Sequence, residues 1–376
     1  MTTKCAAQFW DRVVGQERTV ATLKGALATG TLSHAYLFVG QQGLGKINAA
    51  RAVAGELFCT GTGGGARCPA CQRLARDAHA DFRILEPEGK AAWLMDQIRE
   101  LNYEATLAAV DAPLKVYVLR AVDQMPAAPA NALLKTLEDP PENTLFILLA
   151  TTLDRVLATI RSRCQILRFT PLSPARSLAA LQAKVDVDEA RARVALAAAG
   201  MIVPVARDYL NNPKQQQARA EVLRVLRDLP QADALDVLEL AAAIRKSISA
   251  PVEEIKADLA ARALQAAETM DTTAIKKLEA YNKRRVSEAE LQGITVVLNI
   301  IAGLLRDALC HSQGAGHLID NIDATDLIAD IAAIAGAEAI RAGQESVHDA
   351  RAQLASNVNT QLVLEALLLK LREVLV

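Results

Sequence analysis

The sequence predicts an α/β domain with a parallel sheet covered by helices on both faces, followed by a small helical domain and an all-α C-terminal domain. In the first part of the chain, continuous apolar runs such as 144–150 alternate with helical patterns. Such runs are typical of strands in parallel sheets, because both faces of each strand are covered. From residue 215 to residue 376, residues that favour helices dominate and β-branched runs with a period of two are absent.

Prolines mark the predicted domain boundaries. Pro171 and Pro174 follow the first domain, and the run Asn211-Asn212-Pro213 follows the second. Proline interrupts regular elements and favours the first position of a helix, so both sites are natural places for one domain to end and a helix to begin. We therefore predict an α/β domain over 1–170, a small helical domain over 171–212 and an all-α domain over 213–376.

The composition argues against several classes of protein. The net charge of the 376 residues is −1, which is not expected of a protein that coats nucleic acid by charge alone. Aromatic residues make up 3%, too few to favour a base-stacking platform. The longest apolar segment, 294–305, is shorter than the roughly 20 residues of a membrane span, and the first residues contain no apolar signal region. We expect a cytoplasmic protein without a membrane partner.

A glycine-rich turn after the first predicted strand, 34–39, has the layout of a phosphate-binding loop, and an alanine-rich helix, 48–57, follows it. The residues expected to contact phosphate are Gly40, Gly43, Gly45 and Lys46. Glycines let backbone N–H groups approach phosphate oxygens, and the helix start adds a partial positive charge. The next residue is normally Ser or Thr, whose hydroxyl binds magnesium, but here it is Ile47. Weak binding of ATP or ADP without hydrolysis is compatible with this loop, and a turn without a ligand is the alternative.

The end of a second buried strand lacks the acidic residues that nucleotide hydrolases place there. In those enzymes the strand ends in Asp or Asp-Glu, which holds magnesium and positions water. Here the strand 114–119 is followed by Arg120-Ala121-Val122, and Asp123 comes too late to occupy the strand end. Together with Ile47 this is a second loss in the same chemistry, so the sequence predicts that the chain alone does not hydrolyse ATP.

Three cysteines form a candidate metal site. Cys59, Cys68 and Cys71 are separated by eight and two residues, a spacing that suggests a small zinc module. A closed structural zinc site normally has four ligands. A further step of the same spacing falls on Leu74, whereas His79 is a nearby substitute. Bound zinc is one expectation, and a site that has lost its metal or never held one is the other.

Motifs within residues 9–170 occur in the order found in bacterial clamp-loader subunits of the AAA+ class, which the chain resembles. They are Val13-Val14-Gly15-Gln16, His34-Ala35-Tyr36-Leu37-Phe38, the loop ending at Lys46, 131–138 and 158–164. The resemblance implies an AAA+ P-loop domain, a helical lid and a helical collar that joins five subunits. Ile47 and Arg120-Ala121 depart from the gamma/tau-like motors of that family, which carry an intact loop and an acidic second strand.

The same resemblance implies a function for Ser162-Arg163-Cys164. In clamp loaders an arginine at this position reaches across a subunit interface to the neighbour's ATP, so Arg163, with Ser162 beside it, is the predicted catalytic site in trans. A guanidinium at a phosphoryl-transfer site stabilises developing charge and is worth roughly 10³–10⁵ in rate. Arginine stays ionised and presents a planar fork that lysine lacks. A strand-end arginine on a solvated surface is the alternative.

The implied protein is a non-hydrolysing subunit that helps to load a sliding clamp onto primed DNA and requires no cofactor of its own. Its implied partners are gamma/tau-like and delta-like subunits in a hetero-pentamer, with the clamp and the DNA reached through the complex. The enzyme is then the DNA polymerase III holoenzyme rather than the single chain. The alternatives are an ATP-hydrolysing gamma/tau-like motor and a zinc-dependent adaptor, which the ATPase activity and the metal content of the purified chain distinguish.

Overall fold

A computed structural model describes residues 6–61, 68–87, 93–267, 272–355 and 358–375. The chain forms two compact units, residues 1–176 and 177–376. The boundary between the units lies close to the predicted end of the α/β domain at residue 170. The finer division of the helical part at residue 212 stays a prediction, because the second unit includes the helices on both sides of that position.

The first unit contains a five-stranded parallel sheet with the strand order β2-β3-β4-β1-β5. The strands are β1 (Ala35–Val39), β2 (Phe82–Leu85), β3 (Lys115–Leu119), β4 (Thr144–Ala150) and β5 (Gln165–Arg168). Every residue of β1 and β4 is buried. Tyr36 and Phe38 belong to the apolar cluster on one face of the sheet, whereas Leu37 belongs to the cluster on the other. The predicted α/β fold with a covered parallel sheet is therefore confirmed.

Helices cover the two faces of this sheet. In the first unit they are α1 (Ala7–Trp10), α2 (Glu17–Thr29), α3 (Lys46–Phe58), α4 (Pro69–Ala75), α5 (Met95–Thr106), α6 (Ala127–Glu138) and α7 (Ala158–Arg161). Helix α6 ends at Glu138, just before Asp139-Pro140, since proline cannot continue a helix. Leu133 and Leu137 of α6 are buried under the sheet, which fixes the end of this helix in place.

The second unit is built from helices throughout its described residues, which confirms the predicted all-α C-terminal part. The chain enters it through α8 (Pro174–Gln182), and the helices that follow are α9 (Glu189–Ala198), α10 (Val203–Leu210), α11 (Pro213–Asp228), α12 (Ala234–Ala267), α13 (Thr272–Ser312), α14 (Thr325–Ile334), α15 (Ala337–Ala355) and α16 (Thr360–Leu375). One segment of α13, Ala289–Ser312, has the length and apolar composition of a membrane span, but more than half of its most apolar stretch is buried inside the protein. Burial of this kind is also typical of the core helix of a water-soluble protein.

A buried carboxylate organises the C-terminal part of α13. Asp307 is fully buried, and its Oδ2 accepts hydrogen bonds from the backbone N–H of Asp320 at 3.1 Å and of Asn321 at 2.8 Å. The side-chain amide of Asn321 donates to the same oxygen at 2.8 Å, and Arg306 Nε donates to Oδ1 at 2.9 Å. A buried charge is tolerated only when its hydrogen-bonding capacity is satisfied, and here it holds the segment after α13 against the helix.

Candidate functional site

The glycine-rich loop connects the end of β1 to the start of α3. Gly45 precedes the helix with a φ of +87°, a left-handed conformation that glycine adopts without strain. A side chain at Gly40 would bring its Cβ within 2.2 Å of the carbonyl oxygen of Phe169. These two glycines are therefore required by the backbone of the loop itself, whether or not a phosphate binds.

Lys46 lies inside the loop that the sequence assigns to phosphate. Its Nζ donates hydrogen bonds to the carbonyl oxygens of Gly40 and of Gln41, the latter at 2.9 Å. Burial lowers the pKa of Lys46 to about 8, an effect that Asp123 opposes and Arg120 increases. The protein thus holds a partly desolvated ammonium where the outer phosphates of a nucleotide would be bound.

The two positions that would supply magnesium ligands carry other chemistry. Ile47 is partly buried against the apolar cluster of the first unit, so it acts as a packing residue. Arg120, directly after β3, forms an ion pair with Glu86 through its Nη1. Neither Ile47 nor Arg120 therefore offers a side-chain oxygen to the magnesium of a bound nucleotide.

Asp123 reaches the site by a route that its position in the sequence does not reveal. Ala121 has a φ of +52°, and the short 3₁₀ turn Val122–Gln124 folds the chain back toward the end of β4. Asp123 Oδ2 accepts hydrogen bonds from the backbone N–H groups of Thr151 at 3.0 Å and Thr152 at 3.4 Å, and its Oδ1 is buried without a hydrogen-bond partner. The edge of the sheet therefore carries a carboxylate beside Lys46, although the strand end itself carries Arg120.

The three predicted metal ligands come together. Cys59 directly follows α3, Cys68 directly precedes α4 and Cys71 is buried within α4. The three sulfur atoms lie within 4.8 Å of one another. Leu74, one turn after Cys71 and at the next step of the cysteine spacing, is fully buried in the apolar core and offers no ligand atom.

His79 is not part of the cluster of potential metal ligands that the described residues form. Its ring stacks on Phe58 with the centroids 4.6 Å apart, and its Nδ1 accepts a hydrogen bond from the backbone N–H of Asp81 at 3.2 Å. Burial lowers the pKa of His79, which favours the neutral ring. Among the residues that the structure describes, three thiols suited to zinc therefore come together, and zinc binding stays a prediction.

Arg163 opens onto a separate cavity of about 430 Å³, lined by His34, Leu137, Glu138, Ser162 and Arg163. Its Nη2 lies 2.5 Å from Glu138 Oε1, and its Nη1 donates to the carbonyl of Thr159 at 3.0 Å and to Ser162 Oγ at 3.2 Å. The side chain of Arg163 is 34% exposed. Ser162 thus helps to hold the guanidinium rather than facing a ligand alone.

The cavity at Arg163 and the loop at Lys46 lie at opposite ends of β1. His34, which lines the cavity, directly precedes β1, whereas Gly40 directly follows it. Arg163 also precedes β5, and β5 runs parallel to β1. A strand of this length spans about 16 Å. Arg163 is therefore placed away from the phosphate loop of its own chain.

Two family models match most of the chain. One, described as the DNA polymerase III delta subunit, matches residues 15–173, and the other, described as its C-terminal part, matches residues 262–373. DNA polymerase III subunit delta′ of Bacillus subtilis is 34% identical over 219 residues, which cover 57% of this chain and 65% of that protein. The delta′ subunit of Pseudomonas aeruginosa is 34% identical over 202 residues, covering 52% of this chain and 61% of that protein.

The sequence matches include gamma/tau subunits of DNA polymerase III. The gamma/tau subunit of Mycobacterium tuberculosis is 38% identical over 181 residues, which cover 47% of this chain and 31% of that protein. A solved structure of a gamma subunit-related protein from Thermotoga maritima aligns with 95% of this chain and 99% of its own, at 15% identity and a TM-score of 0.42. The matched region thus spans less than two thirds of the length of these sequence relatives.

Proposed function

Because the chain belongs to the family of DNA polymerase III delta-type subunits, we propose that it is a delta′-type subunit of a clamp loader, which does not hydrolyse ATP itself and donates Arg163 to the ATP site of a neighbouring subunit. In this proposal the neighbours are gamma/tau-like and delta-like chains. The assembled complex loads a sliding clamp onto primed DNA in the cytoplasm. This chain contributes a fixed cation and part of the interface, while the chemistry occurs at the neighbour's nucleotide.

The position of Arg163 is the observation that carries this proposal. The guanidinium opens onto a cavity at the amino end of β1, whereas the chain's own phosphate loop begins at the carboxyl end of that strand. An arginine so placed cannot assist a nucleotide held by Lys46, but it is available to a nucleotide on another chain. In phosphoryl transfer, a cation supplied from outside the nucleotide site stabilises charge that develops on the γ-phosphate.

The local chemistry at Lys46 supports the absence of self-hydrolysis. Hydrolysis requires magnesium to bridge the phosphates and a carboxylate to order the metal and the attacking water. Ile47 offers no hydroxyl, and the residue after β3 is Arg120 rather than an acid. Asp123 is a nearby carboxylate that lies beyond the strand end; its Oδ2 is engaged by two backbone N–H groups and its Oδ1 is buried. Weak, non-productive binding of ATP or ADP is the most that this arrangement supports.

Zinc is not required in this proposal. Cys59, Cys68 and Cys71 would hold the ion, and its chemistry would be structural: linking the end of α3 to α4. In the described ranges the cluster has three ligands and Leu74 offers no fourth, and a three-ligand site binds zinc more weakly than a closed one. We therefore propose that the module folds around its apolar contacts and retains metal poorly.

The test is ATP hydrolysis by a complex reconstituted from this chain with gamma/tau-like and delta-like subunits, in the presence of the clamp and primed DNA. Arg163→Ala should lower the ATPase rate of the complex while its subunit composition stays the same. Lys46→Ala should leave the rate unchanged, and Arg161→Ala is the matched control, because it removes an arginine two positions away. An unchanged rate with Arg163→Ala, or a rate abolished by Lys46→Ala, would contradict the proposal.

A further inference from the structure

We infer that Glu138 is a positioning residue for Arg163, and that it holds the guanidinium in the orientation needed at the neighbour's nucleotide. The inference rests on the function proposed above. Glu138 Oε1 lies 2.5 Å from Arg163 Nη2, a short contact between full charges. The contact is an ion pair, and the attraction between the opposite charges holds Nη2 beside the carboxylate, while Nη1 is held by its hydrogen bonds to the carbonyl of Thr159 and the hydroxyl of Ser162.

Glu138 is itself held by a rigid part of the fold. It is the last residue of α6, next to Leu137, which is almost fully buried. The carbonyl oxygen of Leu137 is 3.1 Å from His34 Nε2, and the hydroxyl of Thr136 donates to Asn102 Oδ1 at 2.8 Å. The end of α6 is thus fixed to the start of β1 and to α5. A carboxylate on such an element can impose its position on a flexible partner.

The remaining contacts of Arg163 leave capacity for a phosphate. A guanidinium has five N–H donors. The carbonyl of Thr159 and the hydroxyl of Ser162 both accept hydrogen bonds from Nη1, and Glu138 forms an ion pair with Nη2. These contacts do not use all five donors, so the arginine does not have to leave Glu138 in order to bind an oxyanion on the neighbour. The long side chain also loses its rotamer freedom before the neighbour's nucleotide arrives, which favours a preorganised finger.

The stability of the fold gives no comparable reason for this pair. The side chains of Arg163 and Glu138 are 34% and 46% exposed, and ion pairs at this exposure contribute little to folding. Removing the carboxylate should therefore leave the subunit folded and able to assemble. This makes the catalytic readout interpretable, because an effect on ATP hydrolysis would not come from loss of the chain.

The experiment measures the part of the complex ATPase rate that Arg163→Ala removes, at saturating ATP. Glu138→Ala should remove about nine tenths of this Arg163-dependent ATPase rate. Glu138→Gln keeps an acceptor but loses the charge, so it should remove about two thirds of the same rate. The KM for ATP should not change, since Glu138 acts on the transition state through Arg163. Glu142→Gln is the matched control, because it removes the same charge from an exposed position nearby.

A double variant separates positioning from other effects. In the Arg163→Ala background, Glu138→Ala should cause no further loss, since there is no guanidinium left to position. Two results would overturn the inference and leave the proposed function standing. One is an equal loss of ATPase rate from Glu138→Ala in both backgrounds. The other is a Glu138→Ala complex whose ATPase rate is within twofold of the unaltered complex while that of Arg163→Ala is impaired. If Arg163→Ala itself has no effect, the proposed function and this inference both fall.

Discussion

Replacing Lys46 with methionine should stabilise the first unit near neutral pH and lose that effect as the pH rises. The pKa of Lys46 is lowered by burial from 10.5 to about 8. Each pKa unit corresponds to about 1.4 kcal/mol, so the charged lysine costs the folded state at most about 3 kcal/mol at pH 7. Methionine loses two hydrogen bonds, to the carbonyls of Gly40 and Gln41, which together offset about 2 kcal/mol. We therefore expect a net gain of about 1 kcal/mol.

The sign of the pH dependence follows from the direction of the shift. A lysine whose pKa is lower in the folded state destabilises the fold while it is charged there, so the full penalty applies below about pH 8 and disappears by about pH 10.5. The stability difference between the Lys46→Met variant and the unaltered chain should thus fall by more than half between pH 7 and about pH 9.5.

The assay can report on the first unit alone. The chain has two tryptophans, Trp10 and Trp93, and both are buried in that unit. Urea unfolding followed by tryptophan fluorescence therefore measures its free energy of unfolding. Lys135→Met is the matched control, because Lys135 is exposed on α6. A destabilised Lys46→Met variant, or a stability difference that does not change with pH, would refute the reasoning.

Three further predictions concern other parts of the chain. Asp307→Asn should destabilise the second unit by about 3 kcal/mol, because one of the two accepting oxygens becomes an NH2 group that faces buried donors and the charge is lost. Circular dichroism should then show earlier loss of helix, while the tryptophan transition stays unchanged. Leu74→Cys should supply a fourth thiolate, so zinc content measured after treatment with a chelator should rise at least about tenfold, and equal retention by both proteins would count against the incomplete cage. Ile47→Thr should not create ATPase activity in the purified chain, because Arg120 still follows β3; measurable magnesium-dependent turnover would be the contrary result.

The sequence predicts those parts of the fold in which burial determines residue type. Continuous apolar runs mark β1, β3 and β4, because strands covered on both faces need no alternation. The prolines that follow Asp139 likewise predict where α6 ends. Strand β5 was not predicted: its residues are exposed except Leu167, and it is a strand because it pairs with β1, which is not a local property.

The sequence predicted only those site residues that belong to recognisable motifs. The sequence singles out Lys46 and Arg163, but the contacts that define their surroundings join residues far apart in the chain. Asp123 reaches the sheet edge because Ala121 adopts a left-handed backbone conformation, which no pattern of residues in the sequence predicts. Glu138 appears in the sequence as the end of a motif, and its contact with Arg163 follows from the packing of α6 beside α7.

The most direct test of the central claim is a structure of the assembled complex with a non-hydrolysable ATP analogue. The measured quantity is the distance from the Arg163 guanidinium to the terminal phosphate on the neighbouring subunit. We expect roughly 2.7–2.9 Å, as in other charge-assisted hydrogen bonds, with Glu138 still in contact. An Arg163 beyond hydrogen-bonding reach of that phosphate, or a magnesium–nucleotide complex coordinated at Lys46, would contradict the claim that this chain serves a neighbour's ATP rather than its own.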